Sequence, residues 1–237
     1  MEHQIQPLYE VLIYIEDQES VEIELLKKWG KTTSRGVIGK MQALGLIERF
    51  EQDNKPKVRL SQKGYQHLNM ILDVLHAPVL HWDGKWRVVW FSVPENIRSI
   101  RDKFRRYLIS AGLQPTLNSL WLTPLPLTDK ILAKTHEFGL DGKVFVMESD
   151  NVHGLSQDQL TSAWDFDGAR KLYYDFINKN EKYLTSANIS KFEAKRIILD
   201  YAIVLNNEPK LPIELFPTDW PKYRADQIYK KIRRIVS

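Results

Sequence analysis

The apolar residues of the first 75 positions change period several times, and few folds accommodate that order of changes. Over 5–15, Leu8, Val11, Leu12 and Ile15 recur at helical spacing. A short helix is expected over 21–29, with Ile23, Leu26 and Trp29 inward and Gly30 closing it. Thr32 or Thr33 then offers an N-cap. The next helix carries Val37, Ile38, Met41 and Leu44 on one stripe and stops at Gly45. From there the period drops to two: 46–51 alternates as a strand, 52–56 is a turn, and 57–60 returns as a second strand. Ser61 caps a last helix through Leu68, Ile71, Leu72 and Leu75. Three helices, a hairpin and a closing helix predict a winged helix-turn-helix over 1–76.

Charge is distributed unevenly over the same stretch. Residues 1–24 hold seven acids and no Lys or Arg, whereas 25–63 hold ten bases against three acids. The third helix turns Ser34, Arg35, Gly36, Gly39, Lys40 and Ala43 away from its apolar stripe, a small and cationic face. Such a face fits a major groove about 12 Å wide, where bulky apolar side chains would clash. Arg35 is the expected base reader, because its planar fork matches guanine O6 and N7. Thr33 and Ser34, at the helix start, are placed to donate to phosphate, with Lys40 beside them. Lys55, Lys57 and Arg59 sit on the wing and point to backbone or minor-groove contact. A winged helix used only for protein contact is the alternative. Glycines inside a helix each cost about 0.5–1 kcal/mol relative to Ala. Close approach to DNA or to a neighbouring helix would account for Gly36 and Gly39.

Residues 77–84 break the helical period with Pro78 and an Asp83-Gly84 turn and read as a linker. Beyond it, 86–93 is a short apolar and aromatic run, expected as a buried strand ended by Pro94. The stretch 95–111 is an amphipathic helix with Ile97, Ile100, Phe104, Tyr107, Leu108 and Ala111 inward and Arg98, Arg101, Lys103, Arg105 and Arg106 elsewhere. One or two strands over 113–123, a helix over 128–138 and a strand over 143–148 complete a β-α-β-α-β order. That order predicts a ferredoxin-like α+β domain at 85–150. A helical C-terminal domain over 151–237 follows, with helices over 158–184, 190–206 and 223–236. Between the last two, four prolines in 208–221 exclude a regular helix, so an extended segment pinned by Leu211, Leu215, Phe216 and Trp220 is expected.

Cys is absent, which removes disulfide scaffolds, cysteine metal sites and thiolate nucleophiles. No apolar run reaches the roughly 20 residues of a membrane span, and the MEHQIQP start does not read as a signal peptide. A cytoplasmic protein is expected. The six histidines are scattered, and no G-x-S-x-G or phosphate-binding glycine loop occurs. Asp165 and Asp167 flank a helix start and read as N-terminal charge stabilisers. Neither catalysis, a metal site nor a cofactor is expected.

The segment WDGKWRVVWFSVPENIRSIRDKFRRYLISAGLQPTLNSLWLTP resembles the central domain of the PaaX family, repressors of phenylacetate-degradation operons. That domain is itself similar to the ferredoxin-like endonucleases associated with CRISPR arrays. The resemblance continues through LTSAWDFDGARKLYYDFI and LPIELFPTDWPKYRADQIYKKI, the latter resembling the family's C-terminal signature. In those endonucleases an Asp ends the first strand as a metal ligand; here Ser92 stands in that place, and a neutral hydroxyl does not hold Mg²⁺. Relatives within the PaaX family often keep the acid, so the chain departs from its apparent family there. The resemblance implies a homodimeric repressor that binds double-stranded DNA at an inverted repeat and is released by an aryl-acyl coenzyme A. Arg101 and Arg105 are the candidates to meet that effector's phosphates. A metal-dependent nuclease and a protein-interaction adaptor are the competing readings.

Overall fold

The computed structural model describes residues 6–29, 31–117, 120–150, 153, 156–185 and 189–236. The chain is mixed α+β, with two small antiparallel sheets, and its contacts divide it into two compact units. One unit holds Met1–Ala77, Lys171–Asn207 and Pro221–Ser237; the other holds Pro78–Arg170 and Glu208–Trp220.

In the first unit, α1 (Gln6–Gln18) buries Leu8, Val11, Leu12 and Ile15, the stripe its spacing dictates. The expected helix over 21–29 forms differently. Val21–Glu22 is a short strand, β1, and Ile23–Trp29 a 3-10 helix. Val21 and Val58 are cross-strand partners and both are buried, so sheet pairing overrides local helical spacing. Helix α2 (Lys31–Ala43) begins at Lys31, which places Thr32 and Thr33 inside its first turn rather than at its cap. It buries Val37, Ile38 and Met41, while Leu44, expected on that stripe, lies beyond the helix and is exposed. Gly45, at φ +70°, ends α2 by donating its N–H to the Gln42 carbonyl at 2.8 Å.

Strands β2 (Ile47–Gln52) and β3 (Lys55–Leu60) form a hairpin, and β1 pairs on the other side of β3. Asp53 and Asn54 both hold positive φ, the backbone of a two-residue type I′ turn. The Ser61 hydroxyl accepts from Gly64 N at 3.0 Å and caps α3 (Gln62–Leu72), as expected.

Two C-terminal helices, α8 (Lys191–Asn206) and α9 (Lys222–Val236), complete this unit. Leu199 of α8 packs with Ile13 of α1 and Leu68 of α3. Lys195 reaches Glu16 at 2.8 Å and Asp17 at 3.0 Å. Part of the acidity of the first 24 residues is therefore matched by a helix almost 180 positions away.

The second unit is built on strands β4 (Trp86–Phe91), β5 (Gln114–Leu117), β6 (Leu120–Thr123) and β7 (Val144–Ser149), in the spatial order β5-β6-β4-β7 with every neighbour antiparallel. Helices α4 (Arg98–Ala111) and α5 (Thr128–Glu137) contribute Phe104, Leu108 and Ile131 to a core with Val89, Phe91, Trp121 and Val144 of the sheet. On a second core, Trp86 and Leu122 meet Leu160, Trp164, Leu211 and Leu215. The proline-rich stretch is thus pinned by its apolar residues, with one 3-10 turn at Ile213–Leu215. Trp90 is 40% exposed, in contrast to the buried strand expected there. Its cross-strand partner Phe145 and nearby Met147 are also exposed.

The helix expected over 158–184 is broken into α6 (Gln157–Thr161), α7 (Phe166–Asn180) and a 3-10 turn at Glu181–Leu184. Asp165 accepts from Gly168 N at 2.8 Å, the N-terminal role expected of it. The residues expected to form one domain over 151–237 are divided between the two units. Their apolar stripes are completed by α1 and α3 in one case and by the sheet in the other.

Candidate nucleic-acid interface

The first unit presents α2 and the β2–β3 hairpin, which carry the sequence-predicted contact residues. Thr33, Ser34 and Arg35 lie in the first turns of α2; their side chains are outside the described ones. Further along, Gly36, Gly39, Lys40 and Ala43 are all exposed, so the small cationic face turns away from the core. A Cβ added at Gly36 or at Gly39 would meet nothing within 4 Å. Nothing among the described residues therefore requires glycine at either place. Lys40 forms no ion pair among the described residues.

On the hairpin, alternation turns Ile47, Val58 and Leu60 into the core. The opposite face sets Glu48 beside Arg59, Phe50 beside Lys57 and Gln52 beside Lys55. Lys55, Lys57 and Arg59 consequently share one face, but not as free cations. Lys55 pairs with Glu22 at 2.9 Å, Arg59 with Glu48 at 3.1 Å, and Lys57 donates to the Gln52 amide oxygen at 3.1 Å. The Arg59 guanidinium also lies 5.5 Å from the Phe50 ring centroid. Exposed pairs of this kind are worth about 0–1 kcal/mol. A phosphate can displace such an acid at little cost. Arg49 and Lys63, not singled out by the sequence reading, are exposed and without ion pairs among the described residues. Both belong to the basic stretch 25–63, and Lys63 lies beside Gly45 at the end of α2.

The bases of the second unit serve several ends. Arg87 is 4% exposed and reaches Asp83 at 2.5 and 2.7 Å, Glu148 at 3.3 Å and two backbone carbonyls. Hydrogen bonding from Arg87 holds the Asp83 carboxyl below the usual carboxylate range. Of the two effector candidates, Arg101 is held by Glu95 at 2.9 Å and flanked by Asp102 at 3.8 Å, while Arg105 is exposed and unpaired among the described residues. Neither lines the cavity of about 260 Å³ formed by Asp158, Thr161, Ser162, Phe166, Leu215, Phe216 and Pro217. Ser92 follows β4, exposed, its backbone N–H bonded to the Lys143 carbonyl at 3.0 Å. Among the described residues, no three His, Asp or Glu side chains gather where they could hold a metal ion. No helix among them is long and apolar enough to cross a membrane.

Residues 80–161 match the family described as the PaaX protein central Cas2-like domain, and residues 164–237 match the PaaX-like protein C-terminal domain. No curated protein sequence matches the chain. Among solved structures, the uncharacterised protein Rv0674 of Mycobacterium tuberculosis is similar over 90% of this chain and 86% of its own, with a TM-score of 0.53 and 18% identity. That likeness is one of fold.

Proposed function

The chain belongs to the PaaX-like family of transcriptional regulators, and from that premise we propose that it is a dimeric repressor that binds an inverted-repeat operator through α2 and the β2–β3 wing. The outer face of α2 carries the reading. Two glycines that no contact among the described residues requires stand beside Lys40, unpaired among those residues, on a helix that packs Val37, Ile38 and Met41 into the core. A helix thinned in this way can approach base edges closely. In this reading α1, the 3-10 helix, α2, the type I′ hairpin and α3 form a winged helix. Thr33, Ser34 and Lys40 contact phosphate, Arg35 reads a base, and Lys55, Lys57 and Arg59 follow the flanking backbone.

The second sheet, whose strands run 4-1-3-2 in chain order, is read as a ferredoxin-like domain without catalysis. Trp90, Phe145 and Met147 give its open face an apolar patch suited to a second copy. The effector is an aryl-acyl coenzyme A or a related small molecule, with Arg105 the better placed of the two candidate arginines.

Gel shift and footprinting with duplexes from upstream of its own gene test this reading. Arg35→Ala is expected to reduce discrimination between that duplex and a random one by about 1–3 kcal/mol. Lys57→Ala is expected to weaken both complexes alike and to lower the salt slope by about 1. If both variants bind as the parent does, the recognition surface is misassigned.

A further inference from the structure

Helix α4 sorts its outward charges onto two flanks. At about 100° per residue, Arg98, Arg101, Asp102 and Arg105 fall on one side, and Ser99, Lys103, Arg106 and Ser110 on the other. The second set follows the i, i+4, i+7, i+11 spacing of a single helical stripe. The first flank is internally compensated. Arg98 lies 3.6 Å from Glu95 and 3.7 Å from Asp102, and Arg101 lies 2.9 Å from Glu95 and 3.8 Å from Asp102.

The second flank contains no acid. All four of its side chains are exposed, and neither Lys103 nor Arg106 forms an ion pair among the described residues. Helix α5 extends this flank, because the Tyr107 hydroxyl, one turn from Lys103, donates to the Lys130 carbonyl at 3.2 Å. Lys130 is exposed and also unpaired among the described residues. That helix carries two acids, Asp129, exposed beside Lys130, and Glu137, which Lys134 holds at 2.7 and 2.8 Å, so the acid-free row is that of α4.

A helix face kept charged for solubility alone interleaves acids with bases, as the first flank does. A row of exposed hydroxyls, of which Ser110 donates to the Tyr107 carbonyl at 2.8 Å, and of cations unpaired among the described residues, with no acid between them, matches instead what duplex backbones are bound by. The row from Ser99 to Ser110 is about 16 Å long, the length of several phosphates along one strand at about 3.4 Å of axial rise each. It runs along the exposed outside of a helix, which suits a polymer better than a small phosphorylated ligand.

We propose that Ser99, Lys103, Arg106, Ser110 and Lys130 form a second, sequence-independent contact for the phosphate backbone of duplex DNA. The proposal rests on the DNA-binding reading above. The central unit then adds affinity and salt sensitivity, and α2 supplies the discrimination.

The test compares the full chain with Lys103→Gln/Arg106→Gln and with Arg98→Gln. Each is titrated with an upstream duplex and a random duplex of equal length, from 50 to 200 mM salt. The double variant is expected to bind both duplexes about tenfold more weakly and to show a salt slope shallower by about 2, with their ratio unchanged. Arg98→Gln, on the compensated flank, is expected to leave the slope in place. A double variant that melts and binds as the parent does overturns the proposal and leaves the regulator reading standing. Equal effects from Arg98→Gln also overturn it, since they indicate a diffuse field rather than a contact. A parent chain that binds no duplex removes the regulator reading and this proposal together.

Discussion

Helices α2 and α4 each bury one apolar stripe and expose cationic side chains, Lys40 on the first and four on the second among those described, yet their outer faces differ in bulk. On α2 the exposed positions among the described side chains are Gly36, Gly39, Lys40 and Ala43, so there the backbone itself lies near the surface. On α4 they are Arg98, Ser99, Lys103, Arg105, Arg106, Ile109 and Ser110, and the long side chains among them hold any partner well away from the helix axis. A helix that enters a groove must be thin, whereas one that touches a backbone from outside can be thick. Charge compensation differs too. Lys40 is free among the described residues, while α4 spends Glu95 and Asp102 on two of its own arginines.

Glycine substitutions separate thinness from structural necessity. The largest effect is expected at Gly64 of α3, where an added Cβ would lie 2.1 Å from the Leu46 carbonyl oxygen, which itself accepts the Ser61 N–H. Backbone cannot yield as a flexible side chain would, so Gly64→Ala is expected to destabilise the chain by about 3 kcal/mol or more in urea titration. At Gly36 and Gly39 the sign reverses. Each Ala substitution there is expected to add about 0.5–1 kcal/mol of stability, because the side chain enters open space and the unfolded chain loses freedom. If those substitutions destabilise, the outer face of α2 is not open and the contrast with α3 fails.

Bulk on that face should then be harmless to folding and damaging to binding. Gly39→Leu is expected to leave the melting temperature unchanged within a few degrees and to weaken operator binding about 100-fold, a loss of about 2.7 kcal/mol. Ile109→Ala on α4 alters the exposed bulk of the thick face by a similar amount and is expected to change binding less than twofold, below about 0.4 kcal/mol. Comparable losses in the two variants would erase the distinction between a groove helix and a surface helix.

Much of this organisation follows from local pattern. The stripe of α1, the Ser61 cap, the turn at Asp53-Asn54 and the stop at Gly45 all depend on residues within one or two turns of each other. What escaped depends on partners distant in the chain. Val21 becomes a strand residue because Val58 lies opposite, and the acids of α1 make sense beside Lys195. The exposure of Trp90 is of the same kind: 86–93 reads as a continuous apolar run, and how much of each face is covered depends on 208–220. The candidate contact residues were legible as a set of bases on one helix and one hairpin. Their counterions were not, since Glu22 and Lys55 are 33 positions apart.

Those counterions offer the finest test of the comparison. On the wing, Glu48 holds Arg59 at 3.1 Å with both side chains exposed, and on α4 Glu95 holds Arg101 at 2.9 Å. Neutralising an acid releases its cation, but the release affects DNA binding only where phosphate can take the vacated place. Glu48→Gln is therefore expected to tighten operator binding by about three- to fivefold, under about 1 kcal/mol. It should also steepen the salt slope by up to about 1, one further phosphate neutralised. Glu95→Gln makes the same change of charge on the compensated flank of α4 and is expected to leave both quantities where they were. Equal gains from the two substitutions would mean that binding responds to net charge alone, and the wing would lose its claim to a specific backbone contact.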